Sequence, residues 1–211
     1  MIRSKLRSAL MVSVLKTVYL SLRFHGVIVV FRGTRIRLER GAGIKLDPKA
    51  SLFLGTSPLG TPLSLTIRRG GRLSIHGQVK FSSASRLLVG KNAHLEIGDQ
   101  TFFHHNNVIE CWDYIAIGSE CGISWDVHIM DGNAHELIVG GKRIAATRPT
   151  HIGDRVWIGS RVSVVGATIG DGSMLGAGSV VSSSVPPKSL ARGNPARVVC
   201  EDISFVPHRF S

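Results

Sequence analysis

An all-β solenoid, a left-handed parallel β-helix built on a six-residue repeat, is the fold class this sequence predicts, and three observations predict it. From Ile152 to Val181 an aliphatic residue returns every six positions, at Ile152, Ile158 and Val164, then at Ile169, Leu175 and Val181. Gly follows Ile152, Ile158, Ile169 and Leu175, and four places after each of these stands a small or β-branched residue, Val156, Val162, Ser173 or Ser179. Gly is abundant, at 24 residues, and aromatics are scarce, at 6%, as a narrow prism with tight corners requires. A period of six matches neither a 3.6-residue helix nor a two-residue strand alternation. It matches three short strands per turn around a triangular prism, with one aliphatic side chain per face pointing inward. Self-similarity at a fixed short period marks a solenoid.

The same step runs upstream through Ile129, Ile123 and Ile117, then Ile115, Ile109, Phe103 and Ile97, then Leu95 and Val89, Leu87, Phe81 and Ile75, and Leu73 and Ile67. Neighbouring groups meet in an aliphatic-x-aliphatic pair that slips the frame by two. The solenoid is therefore expected over residues 65–185, with one corner short by a residue between Val164 and Ile169. The repeat stops after Ile129 and resumes at Ile152, leaving a loop over 130–150. A long loop that interrupts a regular solenoid points to function more than to structure.

Residues 1–25 are expected to form a basic, apolar helix, since the first 24 contain neither Gly nor Pro. Lys16 interrupts the apolar run and no A-x-A site follows, which argues against a signal peptide. Ala9 to Phe24 would span roughly 24 Å as a helix, short of the ~30 Å of a bilayer's hydrocarbon. The remaining readings are a helix lying in a membrane interface, or one docked on a partner or in an oligomer. Residues 26–64 are expected as irregular capping coils, with two short strands around Gly33 and Arg32, Arg35, Arg37 and Arg40 turned outward. Pro186–Pro187 stop the prism, leaving an extended tail over 186–211.

The net charge of +12 is unevenly spread: residues 1–50 hold 11 Lys/Arg against 2 acids, and the remaining 161 hold 15 against 12. Basicity confined to one end suggests an anionic membrane surface or nucleic acid. The solenoid lacks the aromatic-basic interleaving of a nucleic-acid binder, so nucleic acid is not an expected partner. Cys111, Cys121 and Cys200 give no even framework and no C-x-x-C, consistent with reduced thiols in the cytoplasm.

Within the loop, His135 stands four residues after Asp131 and beside Glu136. A neutral imidazole near its ordinary pKa can take a proton from a hydroxyl at neutral pH. The polar run His104–His105–Asn106–Asn107 lies on an earlier coil. Histidines 104, 105, 128, 135 and 151 also raise a metal-binding prism of the γ-carbonic-anhydrase kind. The nearest spaced pair, His128 and His135, is seven apart rather than that family's five, and no metal site is expected.

The segment IMDGNAH…THIGDRVWIGSRVSVV-GATIGDGSMLGAGSVVSSSVPPKSLARGNPARVV closely resembles the hexapeptide-repeat O-acetyltransferases, of the maltose and galactoside type and their polysaccharide-modifying branch. The resemblance covers about residues 97–200 and leaves the first 60 unmatched. It implies a homotrimer with acetyl-CoA as co-substrate in a groove between adjacent prisms. It also implies a general base at His135, whose tautomer would be fixed by Asp131 or by a backbone carbonyl. On the coenzyme side it implies Trp157 at the groove wall, Ser160 and Ala177 through their backbone amides, Ser182, and Arg197 toward a phosphate. Where the family carries a lysine after Ser182 this chain has Ser183, with Lys188 and Arg192 as the available cations. His104, His105 and Asn106 are the expected acceptor contacts.

The expected function is acetyl-CoA-dependent O-acetylation of a saccharide hydroxyl in surface polysaccharide or lipopolysaccharide biosynthesis. The expected place is the cytoplasm, peripheral to the inner face of its membrane through residues 1–24. An N-acetyltransferase acting on an amino sugar nucleotide is the alternative.

Overall fold

A computed structural model of the chain describes residues 12–56, 61–132 and 135–205. They form a left-handed parallel β-helix of three faces. Face one stacks Val27–Val30, Ser51–Leu54, Gln78–Phe81, Thr101–Phe103, Gly122–Ile123, Trp157–Ile158, Met174–Leu175 and Leu190–Gly193, then ends on the antiparallel Ala196–Cys200. Face two stacks Arg35–Leu38, Ser64–Ile67, Arg86–Val89, Val108–Cys111, His128–Met130, Ser163–Val165 and Val180–Val181. Face three stacks Gly43–Leu46, Arg72–Ile75, His94–Ile97, Tyr114–Ile117, Thr150–Ile152 and Thr168–Ile169.

The two-residue frame slips in the sequence have a simple origin. Leu73 and Ile75 lie on one four-residue strand and both point inward, fully buried. A strand of that length offers two inward positions, because side chains alternate. The carboxy-terminal strands are shorter: Trp157–Ile158 offers Ile158 alone. The coil shortens accordingly, from 22 residues where Ser64 pairs with Arg86 to 17 where Ser163 pairs with Val180. His151 with Thr168 and Trp157 with Met174 keep the same step of 17. All three steps span the corner between Val164 and Ile169, so the residue missing there shortens each of them by one from a coil of 18.

The Ile-Gly-Asp pieces of the repeat turn the corner after face three. A Cβ at Gly153 would sit 2.1 Å from Asp171 Oδ1, so only glycine lets that carboxylate reach across. Asp171 Oδ1 accepts the Asp154 backbone N–H at 2.9 Å, and Asp154 Oδ1 accepts the Ser119 N–H at 2.7 Å. Each carboxylate therefore satisfies the corner of the coil before it, where no ladder partner exists. In the core, the buried rings of Phe81 and Phe103 stack with centroids 4.1 Å apart.

Regular pairing starts earlier than expected. Val27–Val30 is already in parallel register with Ser51–Leu54, Arg35–Leu38 with Ser64–Ile67, and Gly43–Leu46 with Arg72–Ile75. Residues 26–64, expected as irregular, contribute four rungs of the prism. The turn-rich composition that suggested irregularity belongs to the long coil of 29 residues from Arg35 to Ser64. At the other end, Pro186–Pro187 do not stop the prism: Leu190–Gly193 still pairs in parallel with Met174–Leu175 on face one, and only Ala196–Cys200 folds back antiparallel.

A helix over Val14–Arg23 lies along the open edge of the first strand. Of the helix expected over 1–25, residues 1–11 lie outside the described residues, Val12 instead bridges Phe31 as a strand residue, and the helix ends at Arg23, before Phe24 and His25. Among the described residues no helix is long and apolar enough to cross a membrane.

Candidate active site

The edge where face one turns into face two carries most of the expected site. Trp157 and Ile158 run into Gly159 and Ser160, the next coil brings Gly176 and Ala177 above them, and Arg192 follows. The backbone N–H groups of Ser160 and Ala177 have no acceptor among the described residues. A Cβ at Gly159 would lie 2.8 Å from the Ala177 nitrogen, so glycine there leaves that donor uncovered. The Ser160 carbonyl is used within the fold, accepting the Gly178 N–H at 2.8 Å. Trp157 presents its ring to solvent, 44% exposed, while its Nε1–H donates to Ser124 Oγ at 3.3 Å.

Two cations overhang these donors. Arg192 and Arg197 pair across the hairpin, both exposed and without an ion pair among the described residues. A Cβ on Gly176 would come within 2.9 Å of Arg192 Cβ, which sets Arg192 directly beside Ala177. The hairpin is pinned where the Gly193 N–H donates to Ser179 Oγ at 3.0 Å. Arg192, one of two alternatives to the missing lysine, is thus better placed than Lys188, which lies at the corner after face three and donates its N–H to the Asp171 carbonyl.

Further down the same edge lie His104, His105 and Asn106. The His104 ring meets Phe102 at 4.8 Å and Trp125 at 5.8 Å, both edge-on. Burial, and then the neighbouring His105, lower its pKa, so the imidazole stays neutral. Asn106 donates to Asp126 Oδ1 at 2.6 Å, and Arg161 approaches Asp126 at 4.0 Å. From His104 to Arg192 the edge climbs four rungs, about 19 Å at ~4.8 Å per rung.

The loop is rooted on the next edge, between faces two and three. Both oxygens of buried Asp131 accept the Trp112 N–H (2.8 and 3.1 Å), and Oδ2 also accepts those of Asp113 (2.6 Å) and Tyr114 (2.8 Å). Burial raises its pKa, and the three backbone donors oppose that rise. Asp131 therefore anchors the corner and the root of the loop, and the structure gives it that task in place of the expected partnership with His135. Arg148 closes the loop, its N–H bonded to the Asp131 carbonyl at 2.6 Å and its guanidinium donating to the Ser182 carbonyl.

Ser182 lies on the other edge: Val180–Val181 cross face two, so Ser182 sits one corner beyond Ala177, at the loop's root. Sequence proximity to the LGAGSVV run of residues 175–181 concealed that crossing. His135 itself is exposed and precedes a hairpin of Leu137–Val139 and Lys142–Ile144. Leu137, Ile138 and Val139 on that hairpin are 58–69% exposed.

The sequence reading missed a polar network on face three. Ser74 Oγ lies 2.8 Å from His94 Nε2, His94 Nδ1 lies 3.2 Å from Glu96, and His76 bridges Glu96 (3.6 Å) and Asp47 (2.9 Å). The order Ser–His–Glu resembles a nucleophile relay, but Ser74 is 6% exposed, between Lys45 and Glu96 in the ladder. It lacks the access a nucleophile needs. The outward alternation of His94 and Glu96 on one strand was the available signal. Among the described residues no three His, Cys, Asp or Glu side chains are grouped to hold a metal.

Comparison with known proteins agrees with the resemblance read from the sequence. Residues 149–183 match the family described as the hexapeptide repeat of succinyl-transferase. A putative acetyltransferase of Staphylococcus aureus (strain COL) is 58% identical over 52 residues, 24% of this chain and 26% of that protein. The galactoside O-acetyltransferase of Escherichia coli (strain K12) is 37% identical over 128 residues, 58% of each chain. The solved structure of the polySia specific acetyltransferase NeuO covers 87% of this chain and 91% of its own, with a TM-score of 0.58 and 22% identity, a likeness of fold. The chain spans 26% and 58% of the length of the two curated relatives.

Proposed function

We propose that this protein is an acetyl-CoA-dependent O-acetyltransferase acting on a saccharide hydroxyl, and that it works as a homotrimer. The observation that carries the reading is the edge holding the uncovered N–H groups of Ser160 and Ala177 beneath Arg192 and Arg197. Such a strip suits a long anionic thioester: amides for the pantetheine carbonyls and guanidiniums for the phosphates. The names of the relatives, a galactoside O-acetyltransferase among them, support the same acyl donor and a sugar acceptor.

Where the parts lie supports a site shared with a neighbouring copy, as in a trimer. His135 belongs to a loop rooted one edge away from the free amides, and the loop's hairpin carries apolar side chains into solvent. A neighbouring copy would cover that hairpin and offer its own amide edge to this chain's His135. There His135 would accept the proton of the sugar hydroxyl as its oxygen attacks the thioester carbonyl. The C–O bond forms, the tetrahedral oxyanion is held by a backbone N–H, and the C–S bond breaks. The proton on His135 then passes to the departing thiolate. Surface saccharide biosynthesis is the proposed setting, at the cytoplasmic face of the membrane.

Thiol release from acetyl-CoA in the presence of candidate saccharides, with the product checked for an alkali-labile ester, tests this. His135→Ala should lower kcat by roughly 10²–10⁴ with KM for acetyl-CoA nearly unchanged, as expected for loss of a general base. Near-normal turnover in that variant removes the assignment, and an alkali-stable acetyl product would mean transfer to an amine.

A further inference from the structure

The helix Val14–Arg23 is amphipathic in the reverse sense. Its polar stripe faces the protein: Thr17 Oγ1 accepts the Val30 N–H at 3.0 Å, and Ser21 Oγ accepts the Ile28 N–H at 3.0 Å. The Ser13 N–H donates to the Val30 carbonyl, and Lys16 Nζ donates to the Thr34 carbonyl, both at 2.7 Å. These bonds satisfy the open edge of the first strand, which would otherwise present unpaired groups. Leu20 is the helix's buried apolar residue.

The apolar stripe is left outside. Val14, Leu15, Val18, Tyr19 and Leu22 are 52–87% exposed, five large side chains on two adjoining turns. A contiguous exposed apolar patch of this kind marks an interaction surface. Its surroundings are strongly basic: from Val12 to Lys49 the chain holds eight Lys/Arg against Glu39 and Asp47. Asp47 is already engaged by His76, and Glu39 faces Arg37. A second copy of the same basic end would bring like charges together.

We propose that this face docks on an anionic lipid bilayer, with the helix lying in the headgroup boundary and the first coil's arginines on the lipid phosphates. Ten helical residues extend about 15 Å, so the helix lies on the membrane without crossing it. Apolar insertion and cation attraction act together at such a surface. This docking does not depend on the acetyl-transfer reading and survives its failure.

The test is co-sedimentation of the full chain with vesicles. The protein should pellet with phosphatidylglycerol-containing vesicles and stay soluble with pure phosphatidylcholine. Binding should fall at about 1 M salt, where the Debye length is ~3 Å. Leu15→Glu/Val18→Glu/Leu22→Glu should weaken binding by roughly tenfold or more while leaving the melting temperature unchanged, since all three side chains are exposed. The single change Val18→Glu, with a smaller loss, guards against misfolding of the triple variant. A wild-type chain that ignores anionic vesicles, or a triple variant that binds them as well, overturns the proposal. So does a chain that self-associates through this face, or binds an acidic protein there, and ignores vesicles.

Discussion

Arg192 shows how a residue's role depends on what the fold sets beside it. In sequence it was one of two substitutes for a cation missing after Ser182. In the structure it flanks Gly176 and Ala177, opposite Arg197 on a pinned hairpin. If it meets a coenzyme phosphate, Arg192→Ala should raise KM for acetyl-CoA about 10- to 100-fold, since a hydrogen bond to a charged group contributes roughly 1.5–3 kcal/mol. KM for the saccharide should hardly move, and Arg192→Lys should recover part of the loss. Steady-state kinetics with each substrate varied separately checks this. Other placements were legible early: Trp157, Ser160 and Ala177 do share one edge. The places of Asp131 and Ser182 were not, because each depends on a corner crossing that spacing along the chain does not reveal.

At the scale of elements, the loop over 130–150 was visible because the repeat stops, whereas its anchoring was not. Asp131 holds three N–H groups of the coil below it, and Arg148 ties the loop's end to Ser182. Asp131→Ala removes the shared acceptor of those donors from a part-buried corner, which should cost about 3 kcal/mol. The melting temperature should fall by roughly 6–12 °C for a chain of this size, and proteolysis within 131–149 should accelerate. An unchanged melting curve would mean that water replaces the carboxylate at no cost. The first strands were legible as two strands around Gly33 but not as rungs of the prism, for a different reason. Their coil of 29 residues breaks the six-residue rhythm, so only the pairing itself exposes them as rungs. The helix was legible as a helix, but not its inversion, because the polar side chains Thr17 and Ser21 find partners on a strand edge that only the fold supplies.

For the whole molecule, the repeat of aliphatic positions fixed the architecture almost completely, since every sixth side chain must enter one narrow core. On the proposed function, no single chain contains a complete site. His135 belongs to a loop rooted at one edge and the uncovered amides lie along another, so the proposed mechanism takes two copies to build each active site. In a cyclic trimer every interface is equivalent and heterologous, and co-expression of two differently disabled chains tests the claim most directly. His135→Ala and Arg192→Glu chains, each nearly inactive alone at low acetyl-CoA, would be purified together through two tags. With the base and the arginine supplied by different copies, every mixed trimer holds one intact interface of its three. The mixed preparation should therefore recover about a third of wild-type turnover. If His135 and Arg192 serve the same site from one chain, every site in the mixture is broken and the activity stays at the level of the separate variants.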